Sequence, residues 1–139
     1  MDHSERRDVL VVDDNEELRV AIVEFLRHVD LTVDAAADGR EALEYLARTD
    51  YALMLLDYEM PEVNGLAVIA QLKQQPTRPI VLMMTGLDTG NRLPIDGDVV
   101  QAILQKPFDV ADIAAIIRLC VGLTRPPTVG VATESTEVY

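Results

Sequence analysis

The sequence lacks any apolar run that approaches the ~20 residues needed to span a membrane. Residues 1–8 mix acidic and basic side chains, and no apolar block follows a basic segment, so the features of a secretory signal are absent. We therefore expect a cytoplasmic protein with no membrane partner.

Cysteine is nearly absent as well. Cys120 is the only one among 139 residues, which excludes an intramolecular disulfide and a metal site built from several thiolates. We expect Cys120 to be a small buried thiol.

Basic residues are scarce relative to acidic ones. The chain has 12 Lys and Arg against 24 Asp and Glu, which gives a formal net charge of −12. Such a chain repels phosphate backbones, so we expect no nucleic-acid partner. Part of the acidity can still be functional, because a hard divalent cation requires carboxylates crowded at one site.

Length and composition indicate one globular domain, since 49% of the residues are hydrophobic and 26% are charged. We predict a leader at residues 1–7, a folded domain at 8–122 and a tail at 123–139. The tail has no hydrophobic period and many small polar residues, so we expect it to be largely disordered and to contain no second domain.

Five short, mostly apolar runs occur along the chain. The first is continuous instead of alternating and is rich in β-branched residues, which is typical of a strand covered on both faces of a parallel sheet, and the other four are comparable. The runs are Val9–Val12, Leu31–Ala36, Tyr51–Leu56, Pro79–Met84 and Val99–Gln105.

Helical periods occupy the intervals between these runs. The first helix is predicted to have Asp14 as its N-cap, Glu17 three residues later, and Phe25 on its apolar face. The second is predicted to begin at Asp38, because Glu41 completes a pattern similar to a capping box.

The remaining intervals complete an alternation of strands and helices. A third helix is expected from about Gly65 to Gln75, and a last one begins near Asp109. Between the fourth and fifth strands, the segment Gly86–Asp98 is so rich in Gly and Pro that its helix should be short, distorted or missing. The alternation predicts an α/β fold, a doubly wound parallel sheet built from right-handed βαβ units.

Polar side chains follow four of the predicted strands at the point where each strand ends. They are Asp13 and Asp14 after the first, Asp57 at the third, Thr85 at the fourth and Lys106 at the fifth. Sites in doubly wound sheets form at the carboxyl ends of the strands, so we expect these side chains to meet at one edge.

Three neighbouring carboxylates repel one another unless a cation offsets their charge. Mg²⁺ suits them, because it prefers oxygen ligands and binds through a few carboxylates together with a phosphate oxygen. We interpret Asp57 as a nucleophile toward a phosphoryl donor, Lys106 as a partner of the transferring oxygens, and Thr85 as a hydroxyl that bonds the bound phosphoryl group.

The ordered set of these motifs resembles the receiver domains of bacterial response regulators, which are CheY-like proteins of two-component systems. The resemblance extends from about Asp8 to Val121. It rests on Asp13-Asp14, Asp57 followed by Met60-Pro61 and Asn64-Gly65, Thr85-Gly86, and Lys106-Pro107-Phe108.

The resemblance implies a flavodoxin-like sheet of five strands in the order 2-1-3-4-5. It also implies phosphotransfer to Asp57 from a histidine kinase or a histidine phosphotransfer protein, followed by slow self-hydrolysis. By the same resemblance, Asp13, Asp14, Asp57 and the backbone carbonyl of Glu59 would be the ligands of Mg²⁺.

One position departs from the family pattern. Typical receivers carry Tyr or Phe on the fifth strand three residues before the lysine, whereas this chain has Ile103, which we expect to be a core strand residue. Together with the degenerate fourth helix, the Thr85-Gly86 pair before Lys106-Pro107-Phe108 resembles a subgroup of stand-alone receivers called the FAT GUY type.

Simpler interpretations exist for each residue taken alone. Asp13 and Asp14 could merely cap the first helix, and Asp57 or Thr85 could end a strand. Glu59 is either a solvated loop carboxylate or, if it faces the site, a charge that alters the path of the hydrolytic water. A lysine at an apolar strand end needs an anion nearby, so Lys106 favours the functional interpretation of the set.

Three alternatives differ in class. A phosphatase of the haloacid dehalogenase type would need Asp-x-Asp after its first strand, and a flavodoxin would need a phosphate loop there, whereas this chain has Asp13-Asp14. The third is a pseudo-receiver, an interaction module that is never phosphorylated. Retention of every charged site residue argues against it, although Ile103 leaves it some room.

The sequence thus predicts a single-domain response regulator without an attached output domain. It would not be an enzyme in the usual sense, because its Mg²⁺-dependent chemistry is directed at its own Asp57. Its output would be contact with a protein effector whose identity the sequence leaves open.

Overall fold

The computed structural model describes residues 6–60, 65–86 and 95–124. Strands and helices alternate along these residues, as predicted, except between the last two strands. In chain order the elements are β1 (Arg6–Val12), α1 (Glu16–His28), β2 (Val33–Ala36), α2 (Gly39–Arg48), β3 (Asp50–Asp57), α3 (Gly65–Leu72), β4 (Ile80–Thr85), β5 (Val100–Gln105) and α4 (Val110–Thr124).

All neighbouring strands of the sheet are parallel, and their order is β2-β1-β3-β4-β5. The predicted flavodoxin-like topology is therefore confirmed. β1 and β3 are adjacent at the centre, with Val12 paired to Leu56, so their carboxyl ends lie side by side. None of the described helices is long and apolar enough to cross a lipid bilayer.

The core consists of two layers, one on each face of the sheet. Val9 and Val11 of β1 pack with side chains from α1 and α4, whereas Leu10 and Val12 pack with side chains from α2 and α3. Successive residues of a strand point to opposite faces, so a strand covered on both sides must be apolar throughout. This explains the continuous apolar run of β1.

The helix caps agree only in part with the predictions. The cap of α1 is Asn15, not Asp14, because the Asn15 side chain accepts a hydrogen bond from the backbone N–H of Leu18 at 3.1 Å. Asp38 caps α2 as predicted, by accepting from the N–H of Glu41 at 2.8 Å. The apolar face of α1 buries Ile22, Val23 and Leu26, whereas Phe25, which was predicted to lie on the same face, is 38% exposed.

The ends of three elements differ slightly from the predicted ranges. β1 begins at Arg6 and α4 ends at Thr124, two residues beyond each side of the predicted domain. α3 ends at Leu72, because residues 73 and 74 form a turn well before Pro76. The tail from residue 125 onward lies outside the described residues, so its disorder stays a prediction.

Strand β5 forms one edge of the sheet, and its pairing with β4 is irregular. The register shifts between Val81 and Leu82, and the side-chain oxygen of Gln101 accepts the Val81 N–H at 2.7 Å, which satisfies a donor at the irregularity. Ile103 is 40% exposed on this edge strand, which corrects the expectation that it is a core residue.

The predicted short or missing helix between the fourth and fifth strands falls largely on residues 87–94, which lie outside the described part of the chain. Gly86 and the described residues 95–99 contain bends and turns but no helix.

Candidate functional site

Three carboxylates meet at the carboxyl edge of the sheet, as the sequence predicts. Asp13 and Asp14 directly follow β1, and Asp57 is the last residue of the neighbouring strand β3. Each supplies one oxygen, and these oxygens lie within 4.8 Å of one another. Asp13 and Asp57 are buried, whereas Asp14 is exposed, so the cluster opens to solvent on the Asp14 side.

Backbone contacts fix the position of Asp13. Its N–H donates to the carbonyl of Ala36 at 3.2 Å, which extends the β1–β2 pairing by one residue. Its Oδ1 accepts from the Asn15 N–H at 2.9 Å, and its carbonyl accepts from the guanidinium of Arg19 at 2.8 Å. The cap of α1 thus holds the carboxylate of Asp13, and a side chain of α1 holds its carbonyl. Sequence reasoning missed Arg19, because nothing in its spacing distinguishes it from an exposed helical arginine.

Lys106 provides the opposing positive charge. Its Nζ lies 3.4 Å from Asp13 Oδ2 and 3.3 Å from Asp57 Oδ1. The backbone places it there, because the Lys106 N–H donates to the Thr85 carbonyl at 2.8 Å and so continues the β4–β5 pairing past the end of β5. The sheet therefore brings an ammonium group from an edge strand to two carboxylates near its centre.

The ionisation of Asp57 reflects this crowding. The pKa of Asp57 is raised from 3.8 to about 7, first by burial and then by the negative charge of Asp13. The charge and hydrogen bond of Lys106 and the Glu59 N–H, 3.2 Å from Asp57 Oδ1, act in the opposite direction. The ionised form of Asp57, the predicted nucleophile, is thus energetically unfavourable at this position. A cation in the cluster would stabilise it.

The pKa of Lys106 moves in the direction expected for a counter-ion. Burial alone would lower this pKa, but attraction to Asp57 and then to Asp13 outweighs burial, so the pKa of Lys106 is raised. Lys106 is therefore protonated across the physiological range.

Thr85 and Glu59 form a second contact beside the cluster. Thr85 is buried, and its hydroxyl donates to Glu59 Oε2. The N–H of Gly86 donates to the other carboxylate oxygen, Oε1, at 3.1 Å. Glu59 is thus not merely a solvated loop carboxylate. The sequence left open whether Glu59 faces the site, and it could not predict this contact, because residues distant in sequence form it.

The donor set fits a hard divalent cation. Three carboxylate oxygens at this separation are the kind of ligands that Mg²⁺ accepts. A cation there would also favour the ionised form of Asp57, which burial and the neighbouring charge of Asp13 disfavour. Asp13, Asp14 and Asp57 could hold such an ion. The predicted contribution of the Glu59 backbone carbonyl stays a prediction.

An open depression of about 290 Å³ lies next to the cluster. The start of α1 and the segment that links β5 to α4 form its walls, so an approaching group meets Lys106 there. The lining residues are Asn15, Glu17, Leu18, Lys106, Pro107 and Phe108.

Gly65 begins α3 against the backbone of the site. A Cβ atom at this position would lie 3.0 Å from the Asp57 carbonyl oxygen and 3.2 Å from Tyr58 Cα, so only glycine fits without a shift. Pro61 and Asn64, which belong to the predicted motif, lie outside the described residues.

Comparison with known proteins agrees with the resemblance to receiver domains that the sequence motifs indicate. The family model described as "Response regulator receiver domain" matches residues 9–118. Among curated proteins, the response regulator ArlR of Staphylococcus saprophyticus is 33% identical over 110 residues, which cover 79% of this chain and 50% of that protein. The chain therefore spans about half the length of the curated relatives it matches.

Solved structures of other proteins share the fold of this chain. The receiver domain of the Francisella response regulator 1452 superposes with a TM-score of 0.77 at 24% identity, covering 86% of this chain and 99% of the other. The response regulator TrrA of Thermotoga maritima, solved in complex with Mg²⁺-BeF, gives a TM-score of 0.71 at 25% identity, covering 84% and 98%.

Proposed function

Because this chain belongs to the response regulator receiver domain family, we propose that it accepts a phosphoryl group on Asp57 in a Mg²⁺-dependent reaction and signals by protein–protein contact. The observation that carries the proposal is the set of three carboxylate oxygens within 4.8 Å of one another, facing the single ammonium of Lys106. This set matches the charge pattern that phosphoryl transfer to a carboxylate requires.

The chemistry assigns a role to each side chain. A carboxylate oxygen of Asp57 forms the new bond to phosphorus, while the bond between phosphorus and the donor atom breaks and its electron pair leaves with the donor. Lys106 stabilises the negative charge on the phosphoryl oxygens, and the Thr85 hydroxyl donates to one of them after transfer. A bound Mg²⁺, held by Asp13, Asp14 and Asp57, supplies shielding between the anionic donor and the anionic nucleophile.

The partners follow from this reaction. The phosphoryl donor would be a histidine kinase or a histidine phosphotransfer protein. The reaction changes the chain itself, so the protein would not be an enzyme with a separate substrate. A cytoplasmic location is part of the proposal, supported by a single cysteine that forms no intramolecular disulfide. The FAT GUY-type assignment stays a prediction.

Intact mass spectrometry tests the phosphorylation directly. The protein is incubated with acetyl phosphate and Mg²⁺, and one phosphoryl adduct is expected on the parent chain. Asp57→Asn should form none, and neither should the parent in excess EDTA. Asp50→Asn is the matched control, because it removes a carboxylate from the opposite end of the same strand.

The result separates the competing functions. An adduct that persists in Asp57→Asn would place the phosphoryl group elsewhere and overturn the assignment. A parent chain that forms no adduct with acetyl phosphate or with a phosphorylated histidine kinase would be a pseudo-receiver. If the adduct forms, affinity capture with the phosphoryl mimic beryllofluoride identifies the effector, and capture without it is the control.

A further inference from the structure

The carboxylate of Glu59 bridges two hydrogen-bond donors at the end of β4. The Thr85 hydroxyl donates to Oε2, and the Gly86 N–H donates to Oε1 at 3.1 Å, so the two carboxylate oxygens are used separately. Hydrogen bonds to a charged acceptor are about twice as strong as neutral ones. This pair of contacts is therefore a specific connection between the segment after β3 and the end of β4.

The backbone holds Glu59 in place for this contact. The Tyr58 N–H donates to the Met84 carbonyl at 2.8 Å, and the Glu59 N–H donates to Asp57 Oδ1 at 3.2 Å. The segment after β3 is thus attached both to β4 and to the phosphoacceptor side chain. These bonds fix the backbone that carries Glu59, whereas its exposed side chain is held by the contacts of its carboxylate with Thr85 and Gly86.

The same two donors lie beside Asp57. Residue 57 pairs with Met84 in the sheet, so Thr85 and Gly86 follow immediately after the partner of the phosphoacceptor. A phosphoryl group on Asp57 carries acceptor oxygens into this space, but a hydroxyl has only one proton to donate. The Thr85 hydroxyl can therefore serve Glu59 or a phosphoryl oxygen, but not both.

We propose that Glu59 is a positioning residue that occupies Thr85 and Gly86 in the unphosphorylated chain, so that a phosphoryl group on Asp57 must displace it. This inference rests on the proposed phosphorylation of Asp57. Glu59 thereby opposes the phosphorylated state, and the movement of its carboxylate away from Thr85 is part of the conformational change that phosphorylation causes.

Two variants separate this displacement from a simple effect of charge. Glu59→Asp keeps the negative charge but is shorter by one C–C bond, about 1.5 Å, so its oxygens fall short of Thr85 and Gly86. Glu59→Gln keeps the length but loses the charge, and its amide nitrogen cannot accept a hydrogen bond. Displacement depends on the contact, whereas repulsion of an anion depends on the charge.

The binding of beryllofluoride in the presence of Mg²⁺ is the first measurement. Loss of a charge-assisted hydrogen bond from the unliganded state should make Glu59→Asp and Glu59→Ala bind the mimic roughly tenfold more tightly than the parent. Glu16→Asp is the matched control, since it shortens an exposed glutamate in the first turn of α1 and should bind as the parent does. Mg²⁺ affinity is measured separately for each chain.

The amide resonance of Gly86 is the second measurement, and it needs no phosphorylation. In the metal-free parent, the proton should resonate downfield because of its bond to Glu59. It should move upfield in Glu59→Asp and Glu59→Ala, and it should remain unchanged in Glu16→Asp. A Gly86 resonance unaffected by Glu59→Asp would show that the contact does not exist in solution.

The outcomes distinguish this inference from the proposed function. If the parent binds beryllofluoride and Glu59→Asp binds it equally well, while Glu59→Gln and Glu59→Ala bind more tightly, charge alone explains the effect and the inference fails. In that case the phosphorylation of Asp57 stands. If the parent binds no mimic and forms no adduct with acetyl phosphate, both the function and the inference built on it fail.

Discussion

The ammonium of Lys106 lies 3.3 Å from Asp57 Oδ1, although β4 separates the strands that carry the two residues. The contact is possible because Lys106 follows the end of the edge strand and its long side chain reaches back along the carboxyl edge. Lys106 is the positive charge that lowers the pKa of Asp57 against the effects of burial and Asp13. This pair therefore favours the ionised form of Asp57, together with the hydrogen bond from the Glu59 N–H.

We predict that Lys106→Met raises the pKa of Asp57 well above its value of about 7 in metal-free protein. The substitution keeps the length of the side chain but removes the charge that favours the carboxylate. Carbon-13 NMR titration of the Asp57 carboxyl group in EDTA measures this pKa.

The corresponding control is Arg118→Met, which removes a charge from the exposed face of α4 and should leave the titration unchanged. An Asp57 pKa that is the same in Lys106→Met and in the parent would show that the two side chains do not interact in solution.

We predict that Asp57→Asn stabilises the metal-free protein near pH 8 by about 1 to 3 kcal/mol. The pKa of Asp57 is raised from 3.8 to about 7 on folding, so between these values the folded state binds a proton that the unfolded state does not. The free energy of unfolding of the parent thus falls as the pH rises through this window. An asparagine has no carboxyl group to ionise and avoids this loss.

Urea denaturation of both chains in EDTA between pH 4 and pH 8 measures the difference. The advantage of Asp57→Asn should shrink as the pH falls toward 4, where Asp57 is protonated in the folded parent. A difference that does not vary with pH would mean that the stabilisation has a cause other than ionisation.

We predict that Mg²⁺ stabilises the parent against heat and that EDTA reverses the effect. A ligand that binds only the folded state adds about 2.7 kcal/mol at a concentration one hundred times its Kd, which for this chain length corresponds to several degrees in Tm. Differential scanning fluorimetry with and without Mg²⁺ provides the measurement.

Asp14→Asn should lose most of this Mg²⁺-dependent rise, because it removes one of the three carboxylates in the cluster. Glu24→Gln removes an equal charge from an exposed position on α1 and should retain the rise. Equal responses of the two variants would argue that Mg²⁺ acts through the general negative charge of the chain.

We predict that Gly65→Ala destabilises the fold by about 1 to 3 kcal/mol, the usual cost of forcing an extra methyl group into a packed region. Its Cβ would lie 3.0 Å from the carbonyl oxygen of Asp57, and a backbone atom cannot rotate away. Gly122→Ala is the matched control, since nothing lies within 4 Å of a Cβ there.

Gly122 lies in the last turn of α4, so alanine at that position should leave stability unchanged or raise it by up to about 1 kcal/mol. Chemical denaturation of both variants at one pH gives the comparison. A Gly65→Ala variant as stable as Gly122→Ala would show that the start of α3 can move away from Asp57 at little cost.

Much of the fold could be predicted from local patterns. The continuous apolar run at Val9–Val12 predicted a strand covered on both faces, and Asp38 with Glu41 predicted where α2 begins. Both patterns act over a few residues, so they can be seen without knowing the partner elements. The same local pattern predicts Asp14 as the cap of α1, although the structure has Asn15, because adjacent polar residues satisfy the pattern equally well.

The exposure of Ile103 and Phe25 could not be predicted in the same way. Hydrophobicity predicts that a side chain tends to be buried, but burial also depends on whether another element covers it. Ile103 lies on an edge strand and Phe25 on the flank of a helix, and each remains more than one-third exposed. Sequence patterns contain no information about which flank is covered.

The sequence by itself determined which chemical groups stand at the strand ends: Asp13, Asp14, Asp57, Thr85 and Lys106. It could do so because strand ends are read from local apolar runs. Only the tertiary structure decided how these groups meet, with Lys106 shared between two buried carboxylates and Glu59 bonded to Thr85 and Gly86. Such contacts join residues distant in sequence, so they depend on the order and register of the strands.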